Sequence, residues 1–188
     1  MNFCIDIANE YYKLDEEVRE EMSGMFRLLF FRKHEFILKQ GDVCGGIYFI
    51  SKGCCRTFLL KEKKDITTAF RVENNIVCSV NSYLTQTPSE EYIQAIEDTE
   101  CYFLKYKDIR ALLEKHPNFN VFVRVVYESL FIDESKMLTI FRTLNASERY
   151  EYFMKHTPKI LQRVPLGYLA SFLGMSRETL SRMRGKKM

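Results

Sequence analysis

The sequence predicts an α+β protein with an N-terminal antiparallel β-barrel or jelly roll, a long helix and a C-terminal helix-turn-helix. Short runs of branched and aromatic residues, separated by turn signals, occupy residues 45–106. From Lys107 the apolar residues follow a helical period of about 3.6 residues instead. Two short helical patterns separated by a glycine close the chain. We therefore expect a sensor barrel at 1–106, a short helix and a long helix at 107–144, and a helix-turn-helix domain at 145–188.

The composition is typical of a soluble globular protein. Of the 188 residues, 46% are apolar and 28% are charged, which is enough to bury a sizeable core. No run approaches the roughly 20 consecutive apolar residues of a membrane span. The acidic N-terminal stretch also lacks the basic start and apolar run of a secretory signal. We expect a cytoplasmic protein that has no membrane partner.

Positive charge is concentrated near the C-terminus. From Lys159 onward, seven Lys and Arg residues accompany a single acidic residue, Glu178, whereas the preceding part of the chain holds 21 basic and 24 acidic residues. This asymmetry favours a polyanionic partner such as double-stranded DNA. A solvated basic tail would give the same charge distribution, so charge alone leaves that alternative open.

The cysteines and histidines do not form the pattern of a metal site. The six cysteines are scattered without a CxxC pair, which favours small buried hydrophobes in a reducing compartment over disulfides or zinc. A barrel metalloenzyme needs clustered His and carboxylate ligands, but His34, His116 and His156 are far apart in the sequence. We therefore expect no metal, no cofactor and no enzymatic activity, with a barrel enzyme as the rival class.

The first predicted element is one helix from Leu14 to Phe31. Apolar residues at 14, 18, 22, 25, 28 and 29 would lie on one face of this helix, and Asp15 is a suitable N-cap. Strands are predicted next, within GGIYFISKGCCRTFLL and then at 66–72, 75–80, 92–97 and 101–106. Glycine turns such as Lys52-Gly53 separate them.

The predicted long helix carries an apolar heptad repeat. Pro117 separates a short helix at 107–115 from the long one, which runs to about Thr143. A repeat of this kind can pair two helices, so we expect a homodimer interface at Val123, Val126, Leu130 and Met137. The alternative, that the stripe packs on its own barrel, is equally compatible with the pattern.

The pattern of residues 145–188 predicts a helix-turn-helix. One helix begins near Ser147 and ends at Thr157-Pro158, and the next starts at Pro165 and ends at Gly174. Ser176 caps the final helix through its hydroxyl. The shared apolar core is expected at Leu169, Leu173, Met175, Leu180 and Met183, with the small Ala170 where the helices cross. The residues expected to contact DNA are Ser176, Arg177, Glu178, Ser181, Arg182, Arg184, Lys186 and Lys187.

Two stretches resemble the Crp/Fnr family of bacterial transcription regulators. VPLGYLASFLGMSRETLSRMRGKK is similar to the family's DNA-binding motif, and LKQGDVCGGIYFISKGCCRTFLL is similar to its cyclic-nucleotide-binding-type barrel. The resemblance implies a homodimer that binds operator or promoter DNA, with RNA polymerase as a further partner. It also implies that Arg177, Glu178 and Arg182 read the half-site.

The expected effector pocket departs from the family pattern. By position, Cys78 and Ser79 stand where cyclic-nucleotide-binding members have a Gly-Glu pair, and Ser89 and Glu90 stand where they have an Arg-Ser pair. The Arg that would hold the cyclic phosphate is therefore missing, and Glu90 would repel the phosphate. We expect no binding of cyclic AMP. The effector is then either absent or an unidentified small molecule of another kind.

Two other effector chemistries known in the family are not favoured. An iron–sulfur cluster needs several closely spaced cysteines near the N-terminus, where Cys4 stands alone. Haem would need an axial ligand near the dimer helix, and His116 is available there. A lone His at a helix start is, however, more typical of a polar surface residue.

Overall fold

The structure is a computed structural model that describes residues 13–185; Cys4, Lys186 and Lys187 lie outside the described residues. Eight strands form the first part of the described chain. They are β1 Arg27–Phe31, β2 Phe36–Leu38, β3 Gly46–Lys52, β4 Cys54–Lys61, β5 Lys64–Val72, β6 Ile76–Val77, β7 Tyr92–Ala95 and β8 Thr99–Lys105. The helices are α1 Glu16–Ser23, α2 Val80–Thr85, α3 Tyr106–Lys115, α4 Pro117–Thr143, α5 Ala146–His156, α6 Pro158–Arg163, α7 Leu166–Leu173 and α8 Arg177–Gly185.

The strands form two four-stranded antiparallel sheets. The first sheet has the order β1-β8-β3-β6, and the second sheet has the order β2-β7-β4-β5. Non-sequential neighbours in both sheets are typical of a jelly roll, because the chain crosses repeatedly from one sheet to the other. The predicted α+β fold with a barrel, a long helix and further C-terminal helices is confirmed.

The turn between β3 and β4 requires glycine. Gly53 has a φ of +102°, and a Cβ added there would lie 2.6 Å from the Asp98 carbonyl oxygen. Any side chain would therefore clash with the backbone of the neighbouring loop. The predicted Lys52-Gly53 turn is correct, and its tightness lets β3 and β4 enter different sheets.

The predicted helix from Leu14 to Phe31 was wrong in its second half. Helix α1 ends at Ser23, and β1 begins at Arg27. β1 pairs with β8 in antiparallel register, from Arg27 opposite Phe103 to Phe31 opposite Thr99. Pairing with a distant strand satisfies the backbone groups of β1, and this tertiary contact overrides the helical spacing of the apolar residues.

The long helix α4 joins two separate apolar cores. Pro117 occupies its first turn, as predicted. Near its start, Phe119 and Phe122 are buried in the core beneath the first sheet. Near its end, Ile140 is buried in a second core formed with the C-terminal helices. One continuous helix therefore contributes side chains to both cores.

His116, just before α4, is not a surface residue. Its side chain is buried, and its Nε2 lies 2.8 Å from a carboxylate oxygen of Glu21. Lys115 contacts the same carboxylate at 2.6 Å. The expectation of an exposed His116 was wrong, because α1 folds back over the start of α4 and covers it.

The C-terminal helices begin with a complete capping box. The Asn145 side chain accepts hydrogen bonds from the backbone of Ser147 and Glu148, while Glu148 accepts one from the Asn145 backbone. Helix α5 therefore starts at Ala146, one residue before the predicted start. The short helix α6 was not predicted. It covers the region between the two prolines at 158 and 165.

Candidate functional site

Helix α8 begins with the predicted serine cap. The Ser176 hydroxyl oxygen accepts a hydrogen bond from the Thr179 backbone amide at 3.1 Å. Glu178 lies in the first turn, where the positive end of the helix dipole favours an anion. Interaction with its own backbone amide, and then with the Ser176 hydroxyl, lowers the pKa of Glu178. The Glu178 carboxylate is therefore ionised at neutral pH and can act as a hydrogen-bond acceptor.

The two faces of α8 differ sharply in exposure. Leu180 is fully buried, at 0% exposure, and fixes the inner face of the helix. The outer face carries the exposed side chains of Arg177, Glu178, Ser181 and Arg182. Four of the eight residues predicted to contact DNA thus form one continuous polar surface. Lys186 and Lys187 lie outside the described residues.

Arg184 differs from the other predicted DNA-contacting arginines. Its side chain is half-buried, and its guanidinium donates a hydrogen bond to the Leu161 carbonyl oxygen at 2.8 Å. This hydrogen bond connects the C-terminal end of α8 to α6. The structure therefore gives Arg184 a contact within the chain, whereas Arg177 and Arg182 point to solvent.

The turn before α8 has the geometry predicted for a helix-turn-helix. Gly174 ends α7 with φ +69° and ψ +39°, in the left-handed region. Leu169, Ala170 and Leu173 on α7 are buried, as expected for the helix crossing. Met175 and Met183 pack against the same core. The predicted core of the motif is present in full.

Helix α7 is attached to the barrel, which the sequence did not predict. The Ser171 hydroxyl oxygen accepts a hydrogen bond from the Thr67 backbone amide at 3.0 Å and donates one to the Asp65 carbonyl oxygen at 2.8 Å. Next to it, the ring of Phe172 packs edge-on against that of Phe70, with 5.3 Å between the ring centres. The first helix of the helix-turn-helix therefore lies directly on strand β5.

Arg56 forms the polar centre of this attachment. Its side chain is 3% exposed, and its guanidinium donates to both carboxylate oxygens of Asp65, at 2.6 and 2.7 Å, and to the Gln94 side-chain oxygen, at 3.0 and 3.1 Å. The guanidinium also lies between two aromatic rings, 3.9 Å from the centre of Phe58 and 3.6 Å from that of Tyr168. Since Tyr168 belongs to α7, the buried charge is enclosed jointly by the barrel and the helix-turn-helix.

A second polar contact joins α6 to the barrel. Arg163 donates to both carboxylate oxygens of Glu73, at 2.7 and 2.9 Å, and also contacts Glu97. The hydrogen bonds from Arg163 lower the pKa of Glu73 to about 2, and Glu73 in turn raises the pKa of Arg163. Both groups are charged over the physiological pH range, so this ion pair persists at neutral pH.

Two polar side chains expected to line the effector pocket, Ser79 and Ser89, bond to each other. The hydroxyls of Ser79 and Ser89 are buried and lie 3.0 Å apart. Ser79 donates to a carboxylate oxygen of Glu91 at 3.0 Å. Glu90, by contrast, is exposed. The carboxylate that bonds to this cluster is therefore that of Glu91 and not, as expected, that of Glu90.

Arg71 is the one arginine in the sequence between Arg56 and Arg110. It lies on β5, where its guanidinium donates to the Phe70 carbonyl oxygen at 3.1 Å and lies 3.8 Å from the Glu134 carboxylate on α4. It is not among the residues that contact the Ser79 cluster. Its positive charge nevertheless acts on the Cys78 thiol, where it opposes the rise in pKa that burial causes.

Helix α4 has two different apolar faces. Val123 and Val126, from the predicted dimer interface, pack partly buried against the barrel core, and Met137 packs against the second core. Leu130 is also partly buried. The exposed apolar side chains of α4 are others, with exposed fractions of 77% for Phe131 and 52% for Ile132 and for Leu138.

The structure also bears on the expected absence of metal. Within residues 13–185, no three His, Cys, Asp or Glu side chains come together in a way that could hold a metal ion. Cys44, Cys54, Cys55 and Cys101 are buried free thiols, and Cys78 is partly buried. In the same described range, no helix has the length and apolar character needed to cross a membrane.

Comparison with known proteins shows what this architecture resembles. Residues 28–116 match the family of cyclic nucleotide-binding domains. This match covers the barrel and α3. The chain thus combines a cyclic nucleotide-binding-type domain with a long helix and a C-terminal helix-turn-helix.

Whole-chain similarity extends beyond the barrel. The anaerobic regulatory protein of Haemophilus influenzae is 21% identical over 93% of this chain and 72% of its own length. Among solved structures, FixK2 from Bradyrhizobium japonicum has a TM-score of 0.72, 17% identity, and coverage of 86% of this chain and 83% of its own. A protein from Eubacterium rectale, described as a Crp/Fnr-family transcriptional regulator, has a TM-score of 0.74 and 16% identity. The match covers 95% of this chain and 85% of that protein. The predicted resemblance to the Crp/Fnr family is confirmed.

Proposed function

We propose that this chain is a transcription regulator that binds specific DNA sequences as a homodimer. The observation that carries the proposal is the outer face of α8, where Arg177, Glu178 and Arg182 are exposed on a capped helix whose opposite face is anchored by Leu180. The basic C-terminal region and the regulatory relatives support the same function.

The chemistry of this face fits reading of the major groove. An arginine can donate two hydrogen bonds to the N7 and O6 acceptors of guanine, and a carboxylate can accept one from the amino group of cytosine. Arg177 and Glu178 lie in the first turn of α8, which is the part of a recognition helix that enters the groove. Ser176 and Ser181 border these residues and are suited to phosphate contacts, as are Lys186 and Lys187.

The exposed apolar side chains of α4 support the homodimer. Phe131, Ile132 and Leu138 are large and accessible, and exposed apolar surface of this kind is typical of an interaction site. A two-fold dimer would present two α8 helices to successive major grooves, about 34 Å apart. RNA polymerase, which the family resemblance implies as a further partner, stays a prediction.

The cassette is proposed not to bind cyclic nucleotides. A bound cyclic phosphate needs a cation or several free amide donors, whereas Ser79 and Ser89 here bond to each other and to Glu91. The nearby carboxylate would repel the phosphate. DNA binding is therefore expected without any cyclic nucleotide.

The proposal is tested by selecting bound sequences from random duplex DNA with the purified full-length chain and no added ligand. The expected result is a two-fold symmetric motif whose half-sites lie about 10 base pairs apart, centre to centre. The affinity should fall as salt rises, because phosphate contacts release counterions. Equal retention of all sequences would contradict the proposal.

A further inference from the structure

An apolar cavity of about 70 Å³ lies outside the barrel, between the first sheet and the helices. The direction of the β3 side chains shows on which side it lies. The Tyr48 hydroxyl approaches the carbonyl oxygen of Ile37 on β2 in the second sheet, at 3.5 Å, so Tyr48 points between the sheets. Its neighbours Ile47 and Phe49 therefore point to the opposite face, and both line the cavity.

Apolar side chains from several elements enclose this cavity. Met22 of α1 and Leu104 of β8 form part of it, and α4 contributes Phe122, Val126 and Leu130. The Cys78 thiol also lines it, and burial raises the pKa of this thiol to about 12, so the group is neutral. No Lys, Arg, Asp or Glu of the described residues lines the cavity. A charged ligand would therefore lose its hydration without gaining a partner.

This cavity adjoins the expected cassette at Cys78, but the polar groups of the cassette do not line it. The buried hydroxyls of Ser79 and Ser89 and the carboxylate of Glu91 do not line it. The cavity also has access to solvent, because Val80 and Tyr127 line it while remaining 50% and 41% exposed. A small molecule could enter between α2 and α4 without crossing the barrel.

We propose that this cavity is a binding site for a small, uncharged, apolar molecule. One water molecule needs roughly 10–15 Å³ of cavity volume. If each non-hydrogen atom takes about the same volume as a water, the cavity suits an occupant of about five to seven such atoms, such as a monocyclic aromatic ring. An apolar cavity offers water no hydrogen-bond partners and gains dispersion contacts when an apolar molecule fills it.

The site shares Cys78 with the expected cassette but differs from it in ligand chemistry. It also has a direct connection to α4, since Phe119, Phe122, Val123, Val126, Tyr127 and Leu130 all line it. An occupant is therefore in contact with the helix that joins the two apolar cores. Binding of the small molecule is measured without DNA, so the result does not depend on the proposed DNA binding.

The test is titration of the full-length chain with toluene, followed by calorimetry and by thermal unfolding. We expect saturable binding with one site per chain and a rise in melting temperature of about 2–4 °C at saturation. Benzoate, which has the same ring and a negative charge, should not bind. Equal binding of benzoate, or no saturable binding of toluene, would overturn the proposal.

Two neighbouring positions on α4 provide a matched control. Val126 lines the cavity and Val125 does not. Val126→Phe should fill the space and reduce toluene affinity at least tenfold, whereas Val125→Phe should leave it unchanged. If Val126→Phe fails to fold, xenon diffused into crystals of the unmodified chain provides the second measurement. Xenon density between Phe49 and Val126 is expected, and its absence there would overturn the proposal.

Discussion

Arg56 is a full charge buried in a strand whose neighbours are mostly apolar. A buried guanidinium is tolerated only when all its donors are used, and here Asp65, Gln94 and Thr67 accept from it. Tyr168 covers the remaining face of the guanidinium from the helix-turn-helix. Arg56 therefore favours the observed docking position of α7, because another position would remove Tyr168 from one face of the guanidinium.

Arg182 and Arg184 allow a test of sequence reading by individual residues. Arg182→Ala should reduce discrimination against a wrong base by about 1–3 kcal/mol, because the exposed guanidinium is assigned to a base edge. Arg184→Ala should instead lower stability by about 1 kcal/mol, through loss of its bond to Leu161, with little effect on sequence preference. Binding titrations with selected and scrambled DNA, at two salt concentrations, check both outcomes. Equal loss of affinity for both DNAs in Arg182→Ala would contradict the readout role.

The ion pair of Glu73 with Arg163 predicts a pH dependence of stability. The folded-state pKa of Glu73 is lowered to about 2 from an ordinary value of 4.5, so its stabilising contribution is present above pH 4.5 and is lost as the pH falls towards 2. Glu73→Gln should therefore flatten the decline of melting temperature over this range. The measurement is thermal unfolding from pH 6 to pH 2. An unchanged slope in the variant would mean that other groups determine the acid sensitivity.

At the scale of elements, the Ser171 hydroxyl makes two of the polar contacts between α7 and β5. Ser171→Ala removes both hydrogen bonds of Ser171 and leaves the Thr67 amide without its partner, so stability should fall by about 1–3 kcal/mol. Ser135→Ala, at an exposed position of α4, is the control and should change stability by less than about 0.5 kcal/mol. Denaturant unfolding of both variants is the measurement. Equal stabilities would show that the hydroxyl contributes nothing.

The two faces of α4 lead to opposite expectations for neighbouring substitutions. Ile132→Asp places a charge on the exposed apolar face and should weaken a homodimer about 100-fold or more, with little effect on folding of the chain. Leu130→Asp places the charge in the apolar cavity and should lower the stability of the chain itself by about 3–5 kcal/mol. Sedimentation and denaturant unfolding separate the two effects. A dimer that survives Ile132→Asp would exclude this face as the interface.

Individual elements show how far the sequence could predict the fold and the site. Local signals sufficed for α4, whose start is set by Pro117, and for the turn and cap around Gly174 and Ser176. They failed at β1, because its pairing with β8 is a contact between distant parts of the chain. The burial of Arg56 was not predicted, because its contact with Tyr168 depends on docking of α7 that no local pattern encodes.

At the scale of the whole molecule, the barrel should not respond to cyclic nucleotides. Titration of the full-length chain with cyclic AMP or cyclic GMP should give no saturable heat up to about 1 mM, and neither should change the affinity for DNA. The reason is the Ser79–Ser89–Glu91 cluster, which offers a carboxylate where a phosphate would need a cation. Micromolar binding of either nucleotide would contradict this expectation.

The bonds of Ser171 have a further consequence for the barrel. β5 is an edge strand, since it ends the second sheet and pairs only with β4 among the described strands. An edge strand with free amide and carbonyl groups is a template for β-pairing with other chains and hence for aggregation. In the intact chain, the Ser171 hydroxyl engages the Thr67 amide and the Asp65 carbonyl, and α7 covers the strand. We therefore expect the helix-turn-helix to protect the barrel from self-association, and a fragment that ends at residue 144 to lose that protection.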